Sequence, residues 1–172
     1  LITGGTNNRI VRNIIYSNLA NGININGLTA TTNLILNNVL WRNSGNGVVV
    51  NNGVATTIKN NIVESNNRSA GGFFGVNNTV GGLGTVVQFN ISFGNPNAGG
   101  ANWNPQTLSN ATGNVTADAA FSNSPATNFR VRPTSFAVDG GTTNGLMRWD
   151  GTPVQRYNRD IGRYESSFSN LF

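Results

Sequence analysis

Short aliphatic runs broken by Asn and Gly fill the first two thirds of the chain, and the runs recur. The strings NIIYSN (Asn13 to Asn18), NVLWRN (Asn38 to Asn43), NIVESN (Asn61 to Asn66) and NISFGN (Asn90 to Asn95) start 25, 23 and 29 residues apart. A weaker copy, NVTAD, begins at Asn114, another 24 residues on. An apolar residue stands three before each leading Asn (Ile10, Ile35, Ile58, Val87), and another follows it directly (Ile14, Val39, Ile62, Ile91, Val115). Each copy then leads to a Gly and a further apolar run: Gly22-Ile23-Asn24-Ile25, Gly47-Val48-Val49-Val50, and a looser Gly72-Phe73-Phe74-Gly75-Val76. Periods of this length mark solenoids. Alternation over two residues in short β-branched runs predicts three short strands per coil, and no stretch has helical periodicity of useful length.

A single triplet of such strands cannot bury its apolar face. Stacking coils at the strand spacing closes a continuous core and pairs the backbone along the axis. The expectation is an all-β, single-stranded parallel β-solenoid of four to five coils, about 20 to 25 Å tall on that spacing. The leading Asn then recurs at one corner, where each amide bonds the Asn above and below in an inward ladder. Asn13, Asn38, Asn61, Asn90 and Asn114 are assigned to it. The coils occupy residues 1–117; from Asp118 the rhythm stops, and residues 118–165 are read as a carboxy-terminal cap of the same structural domain, followed by an apolar tail at 166–172.

The repeat, over roughly residues 2 to 116, resembles the right-handed parallel β-helix superfamily with the pectate-lyase-like fold. The resemblance implies right-handed coiling, in line with the general handedness of parallel crossovers. It implies no single activity, because many functions share the scaffold. The strings DAAFSNSPATNFRVRPTSFAVDGG and DGTPVQRYNRDIGRYE look like the closing segment of secreted bacterial β-helix proteins, which implies an extracellular or cell-surface location. Such a segment covers the open edges of the last coil. In this reading the cap is held by ion pairs among Arg148, Asp150, Arg156, Asp160, Arg163 and Glu165.

Composition narrows the chemistry. The chain carries 32 Asn and 22 Gly, and only 10% of its residues are charged. Asn suits turns, where its side chain bonds nearby backbone and tolerates left-handed geometry. A net charge of +5 leaves an anionic partner open. Much of the Arg can be paired locally, however, and no motif or aromatic-basic face points to nucleic acid. No run approaches the roughly 18 apolar residues of a membrane span. With no Cys and no His, thiol chemistry and the commonest base and zinc ligand are lacking. Related lyases and glycosidases use clustered carboxylates on one face, to hold Ca²⁺ or to act as acid and base. Here the coils offer Glu64 alone, so no catalytic residue, metal site or cofactor is assigned. The glycine-rich VGGLGTV stretch (Val80 to Val86) lacks the Lys-Ser/Thr and helix of a phosphate loop and reads as a widened third coil.

Three further features bear on partners. Tyr16, Trp41 and Phe93 share one place in three coils, with Glu64 in the fourth; the column is either packing, which we favour, or a stacking strip for sugar rings, making polysaccharide a candidate partner. Sequons at Asn67, Asn77 and Asn110 fall in expected loops and are candidate glycosylation sites, whereas those at Asn90 and Asn114 belong to the ladder. Finally, matching Gly27 and Gly53 to Gly4 places Ile2-Thr3-Gly4 at a strand end, so the chain enters inside a coil whose open edge is a template for another chain. Phe168, Leu171 and Phe172 form a candidate assembly tail, and the candidate partner is the chain itself, stacked head to tail. The sequence thus predicts a non-catalytic structural protein able to build a filament; the rival readings are the end portion of a polysaccharide-active enzyme or adhesin, and a glycan-binding module.

Overall fold

The computed structural model describes residues 1–69, 71–78, 84–95, 102–105, 111–138 and 140–141. Twelve short strands pass in turn through three parallel sheets. The first sheet stacks β1 (Arg9–Val11), β4 (Leu34–Leu36), β7 (Thr57–Lys59) and β10 (Val86–Gln88). The second stacks β2 (Ile14–Tyr16), β5 (Val39–Trp41), β8 (Ile62–Glu64) and β11 (Ile91–Phe93); the third stacks β3 (Ile23–Ile25), β6 (Val48–Val50), β9 (Val76–Asn77) and β12 (Trp103–Asn104). The molecule is therefore a parallel β-solenoid. Its described stack is four strands deep and makes about three turns, fewer than the four to five coils expected. The fifth copy contributes only a bridge, Val115 to Ile91, while at the other end Ile2 bridges Ile25, as the glycine match predicts.

Register follows the repeat. Ile10, Ile35, Ile58 and Val87 align across the first sheet, and the middle residues Ile15, Leu40, Val63 and Ser92 align across the second. With Ile23, Ile25, Val48, Val50, Val76 and Trp103 from the third sheet, the aliphatic members fill the tube. Gly22, Gly47 and Gly75 form a column at the entry to the third sheet. A Cβ on each would sit 2.7 Å from the carbonyl oxygen of Gly47, Gly75 and Asn102, one layer on. In the third coil this place belongs to Gly75 and not to Gly72, whose added Cβ would meet nothing within 4 Å. The longer third coil shifted the match by three residues.

The corners share one construction. A residue in the left-handed region turns the chain, and the next residue, usually Asn, points inward. Arg12, Asn37, Asn60 and Phe89 (φ 53 to 59°) precede Asn13, Asn38, Asn61 and Asn90. Ser17, Arg42, Ser65 and Gly94 (φ 53 to 57°) precede Asn18, Asn43, Asn66 and Asn95.

Of the closing segment, residues 118–138 and 140–141 are described. Strands β13 (Phe121–Asn123) and β14 (Asn128–Val131) form an antiparallel hairpin through one 3-10 turn (Ser124–Ala126). The hairpin lies along the flank of the second sheet instead of across the end of the stack. Phe121, Phe129, Ala119 and Ala137 pack on Val39, Trp41, Ile62 and Ile91, with Ile14 and Val115 at the margins. This is why the second sheet is apolar on both faces: its middle residues face the tube, and its outer residues face the hairpin.

Candidate functional site

Two asparagine ladders run the height of the tube. In the first, the backbone N–H and the Nδ2 of each Asn both donate to the Oδ1 of the next: Asn13 to Asn38 at 2.9 and 3.1 Å, Asn38 to Asn61 at 2.9 and 2.9 Å. Asn61 to Asn90 (2.9 and 3.0 Å) and Asn90 to Asn114 (3.0 and 3.1 Å) complete it. From Asn38 onward each Nδ2 also donates to a carbonyl of the preceding coil; Ile35 O accepts from Asn61 and Ile58 O from Asn90, both at 2.9 Å. Asn38, Asn61 and Asn90 are thereby buried with their amides satisfied, as burial in an apolar tube demands. The second ladder, Asn18, Asn43, Asn66, Asn95 and Asn102, uses the same bonds at the next corner. Sequence reasoning missed it, although its signal was present as the closing Asn of the same four strings. A shorter row links Asn8 to Asn33 and Asn33 to Thr56.

The column Tyr16, Trp41, Glu64 and Phe93 is in register across the second sheet. Trp41 lies beneath the hairpin at 6% exposure, with the Phe129 ring centroid 5.4 Å from its own, and Phe129 also meets Tyr16 at 5.7 Å. Tyr16 and Phe93 stay partly open at the margins, 44% and 38% exposed. The hairpin thus interrupts the strip that a saccharide would need.

Glu64 is the fourth member of that column. Its carboxylate is buried where the hairpin begins, and Oε2 accepts the Ala119 N–H at 3.0 Å. Its pKa is raised from 4.5 to about 7, mainly because burial removes the charged form from water; the Ala119 bond opposes the rise and nearby Asp118 adds to it. Around this carboxylate a cavity of about 500 Å³ opens between the strand end, the following corner and the hairpin turn. Trp41 and Arg42, Asn67 and Arg68, and Ser124 line it.

The remaining site candidates divide. Asn67 lies in a loop but is 4% exposed and turned inward, and Asn77 sits half-buried in β9 with its Oδ1 accepting from Asn104 Nδ2 at 3.3 Å. Neither presents its amide openly as expected of a loop sequon: Asn77 is tied to Asn104 of the next layer, and Asn67 is packed out of water. Asn110, the cap set Arg148, Asp150, Arg156, Asp160, Arg163 and Glu165, and the tail residues Phe168, Leu171 and Phe172 lie outside the described residues. Among the described residues no helix is long and apolar enough to cross a membrane, and no three His, Cys, Asp or Glu side chains converge.

Searched against protein-family models, curated proteins and solved structures, the chain matches none of them.

Proposed function

We propose that the chain is a non-catalytic structural β-solenoid of the right-handed, pectate-lyase-like kind, working outside the cell or at its surface and associating end to end. The resemblance of the closing segment to secreted β-helix proteins supports the location, and the repeated left-handed residue before an inward Asn supports the superfamily. The observation that carries the structural reading is the use of polar side chains. The ladder amides are consumed in the interior, and Glu64, the acid of the coils, joins the hairpin to the tube.

End-to-end association is supported by the lower edge of the first layer. Asn38 and Asn43 each accept two hydrogen bonds at Oδ1; Asn13 and Asn18 accept none among the described residues. Ile10 and Ile15 are half-buried at that end, and Leu19, just past β2, is 95% exposed. A further parallel coil laid there would supply N–H donors to both rows and cover the aliphatic rim. When a second copy supplies it, the contact is head to tail and need not close, so a filament results. Chain preceding Leu1 in a longer protein would fill the same edge, so the test uses the 172-residue chain as it stands. Sedimentation and electron microscopy across a concentration series should show rods that lengthen with concentration, and Ile10→Lys should abolish them. A strictly monomeric particle at every concentration refutes the association.

A further inference from the structure

The open edge of the first layer is patterned in its backbone as well as in its amides. One layer in, Leu34 N–H donates down to Asn8 O at 2.8 Å and Val39 N–H to Asn13 O at 2.9 Å, while Leu36 O and Trp41 O accept from Arg12 and Ser17 N–H, both at 3.1 Å. Arg9, Val11, Ile14 and Tyr16 are the register partners of these four residues in the first layer. They therefore turn the corresponding backbone groups away from the stack. Ile2 lies beneath β3, where it bridges Ile25. On that side β1 and β2 end their sheets, without a strand to pair with among the described residues.

The edge is selective about what it can accept. Between β1 and β2 the chain turns at Arg12, in the left-handed region at φ 59°, so a straight strand could follow one of them and would then leave the edge. Ile10 and Ile15 pack on the aliphatic core while half-buried, so the residues beneath them must be apolar. At the corners the Oδ1 atoms of Asn13 and Asn18 await donors. In the interior each such oxygen receives two bonds from the Asn of the layer below, one from its N–H and one from its Nδ2. An Asn at each corner supplies both donors; an Asp would bring an oxygen against an oxygen.

We infer that the edge of β1 and β2 binds a solenoid coil segment of another polypeptide, laid parallel, with aliphatic residues beneath Ile10 and Ile15 and asparagines beneath Asn13 and Asn18. The inference rests on the reading of this edge as an association surface and names what the surface recognises: aliphatic, Asn three residues on, aliphatic two further, Asn three further. The chain carries that pattern itself, at Ile10 to Asn18, Ile35 to Asn43 and Ile58 to Asn66. Backbone pairing supplies the attraction, and the side chains at alternate places supply the selection, as in other strand additions.

A fluorescent peptide of residues 8–20, titrated with the whole chain below the concentration at which rods form, tests this by anisotropy. It should bind saturably. The same peptide with Asn13→Asp and Asn18→Asp should bind at least about tenfold more weakly, although its added negative charge suits a chain of net charge +5. In the protein, Arg9→Pro removes an outward N–H at the first residue of an edge strand, where proline is tolerated. It should weaken binding at least about tenfold at an unchanged melting temperature. If that variant fails to fold, the two peptides still decide. No binding up to about 1 mM, equal binding of the two peptides, or indifference of a folded Arg9→Pro chain each overturns the inference. A chain that binds the peptide yet never forms rods upholds it and refutes self-association; rods without peptide binding do the reverse.

Discussion

Each corner joins two residues with opposite demands. The first must enter the left-handed region, which costs a residue with a Cβ about 1 to 2 kcal/mol; Arg12, Phe89 and Ala55 do so although none is a preferred type there. The second offsets that cost by satisfying backbone groups in two layers at once. Removing an interior rung should therefore hurt far more than removing a terminal one. Asn61→Ala strands the N–H and Nδ2 of Asn38, both of which donate to Asn61 Oδ1, and should cost about 3 to 5 kcal/mol. Asn13→Ala, at the exposed end where Oδ1 accepts nothing among the described residues, should cost under about 1.5 kcal/mol. Urea unfolding of the two variants measures the difference. The first ladder was legible in the sequence because the leading Asn is followed by a strand whose apolar pattern fixes its phase. The second ladder carries the same signal at the trailing Asn, but there the neighbours vary among Ser, Arg and Gly and mask it. Glu64 was legible as the lone acid of the coils and illegible as a joint, since its partner Ala119 is 55 residues away. Its titration gives a second prediction. Folding raises its pKa from 4.5 to about 7, so the folded chain holds this proton more tightly than the unfolded chain. The stabilisation is complete below pH 4.5 and is lost as pH rises to about 7, amounting to about 3 kcal/mol for a shift of this size. Glu64→Gln keeps an acceptor for the Ala119 N–H and should flatten the melting temperature across that window.

Among elements, the strands were read from period-two alternation, which holds for β3 and β7, fails for β6, buried at all three positions, and misleads most in the second sheet. There Val39, Leu40 and Trp41 are all buried, because a layer covers each face. A local pattern cannot announce a layer contributed from 80 or 90 residues away. For the same reason the closing segment was expected over the end of the stack: its sequence shows that it must bury Phe121 and Phe129, without showing against what. Those rings are 5.3 Å apart, and Phe129 faces Trp41. Phe129→Ala should cost about 3 to 5 kcal/mol and open the hairpin to protease while leaving the far-ultraviolet β signal of the coils in place. The glycine column supplies a sharper contrast. Gly47→Ala would bring a Cβ to 2.2 Å from Val63 Cγ1 and 2.7 Å from Gly75 O, and the backbone contact cannot give way without separating two layers. The variant should fold poorly or lose several kcal/mol, on the order of the largest single-site effects. Gly72→Ala, in open space, should melt within about 0.5 kcal/mol of the parent.

At the scale of the molecule, a stack in which each coil touches only its neighbours should fray from its ends, since stability is then a sum of coil and interface terms. The hairpin changes that expectation. Phe129 contacts Tyr16 in the first layer and Trp41 in the second, and its cluster reaches Ile91 and Val115 at the far end. It acts as a lateral brace whose burial couples layers that share no backbone hydrogen bond. In the intact chain, amides of β2 should therefore exchange nearly as slowly as those of β5, despite the open edge beneath β2. Phe129→Ala removes the coupling without touching a ladder. Exchange in β2 should then accelerate by more than tenfold relative to β8, which keeps a coil on both sides. Hydrogen exchange read strand by strand decides this. Uniform acceleration of β2, β5 and β8 would mean that the tube already unfolds as one unit and the brace adds only area. A gradient steepest at the first layer would mean that the closing segment, and not the coils alone, makes four short layers behave as one body.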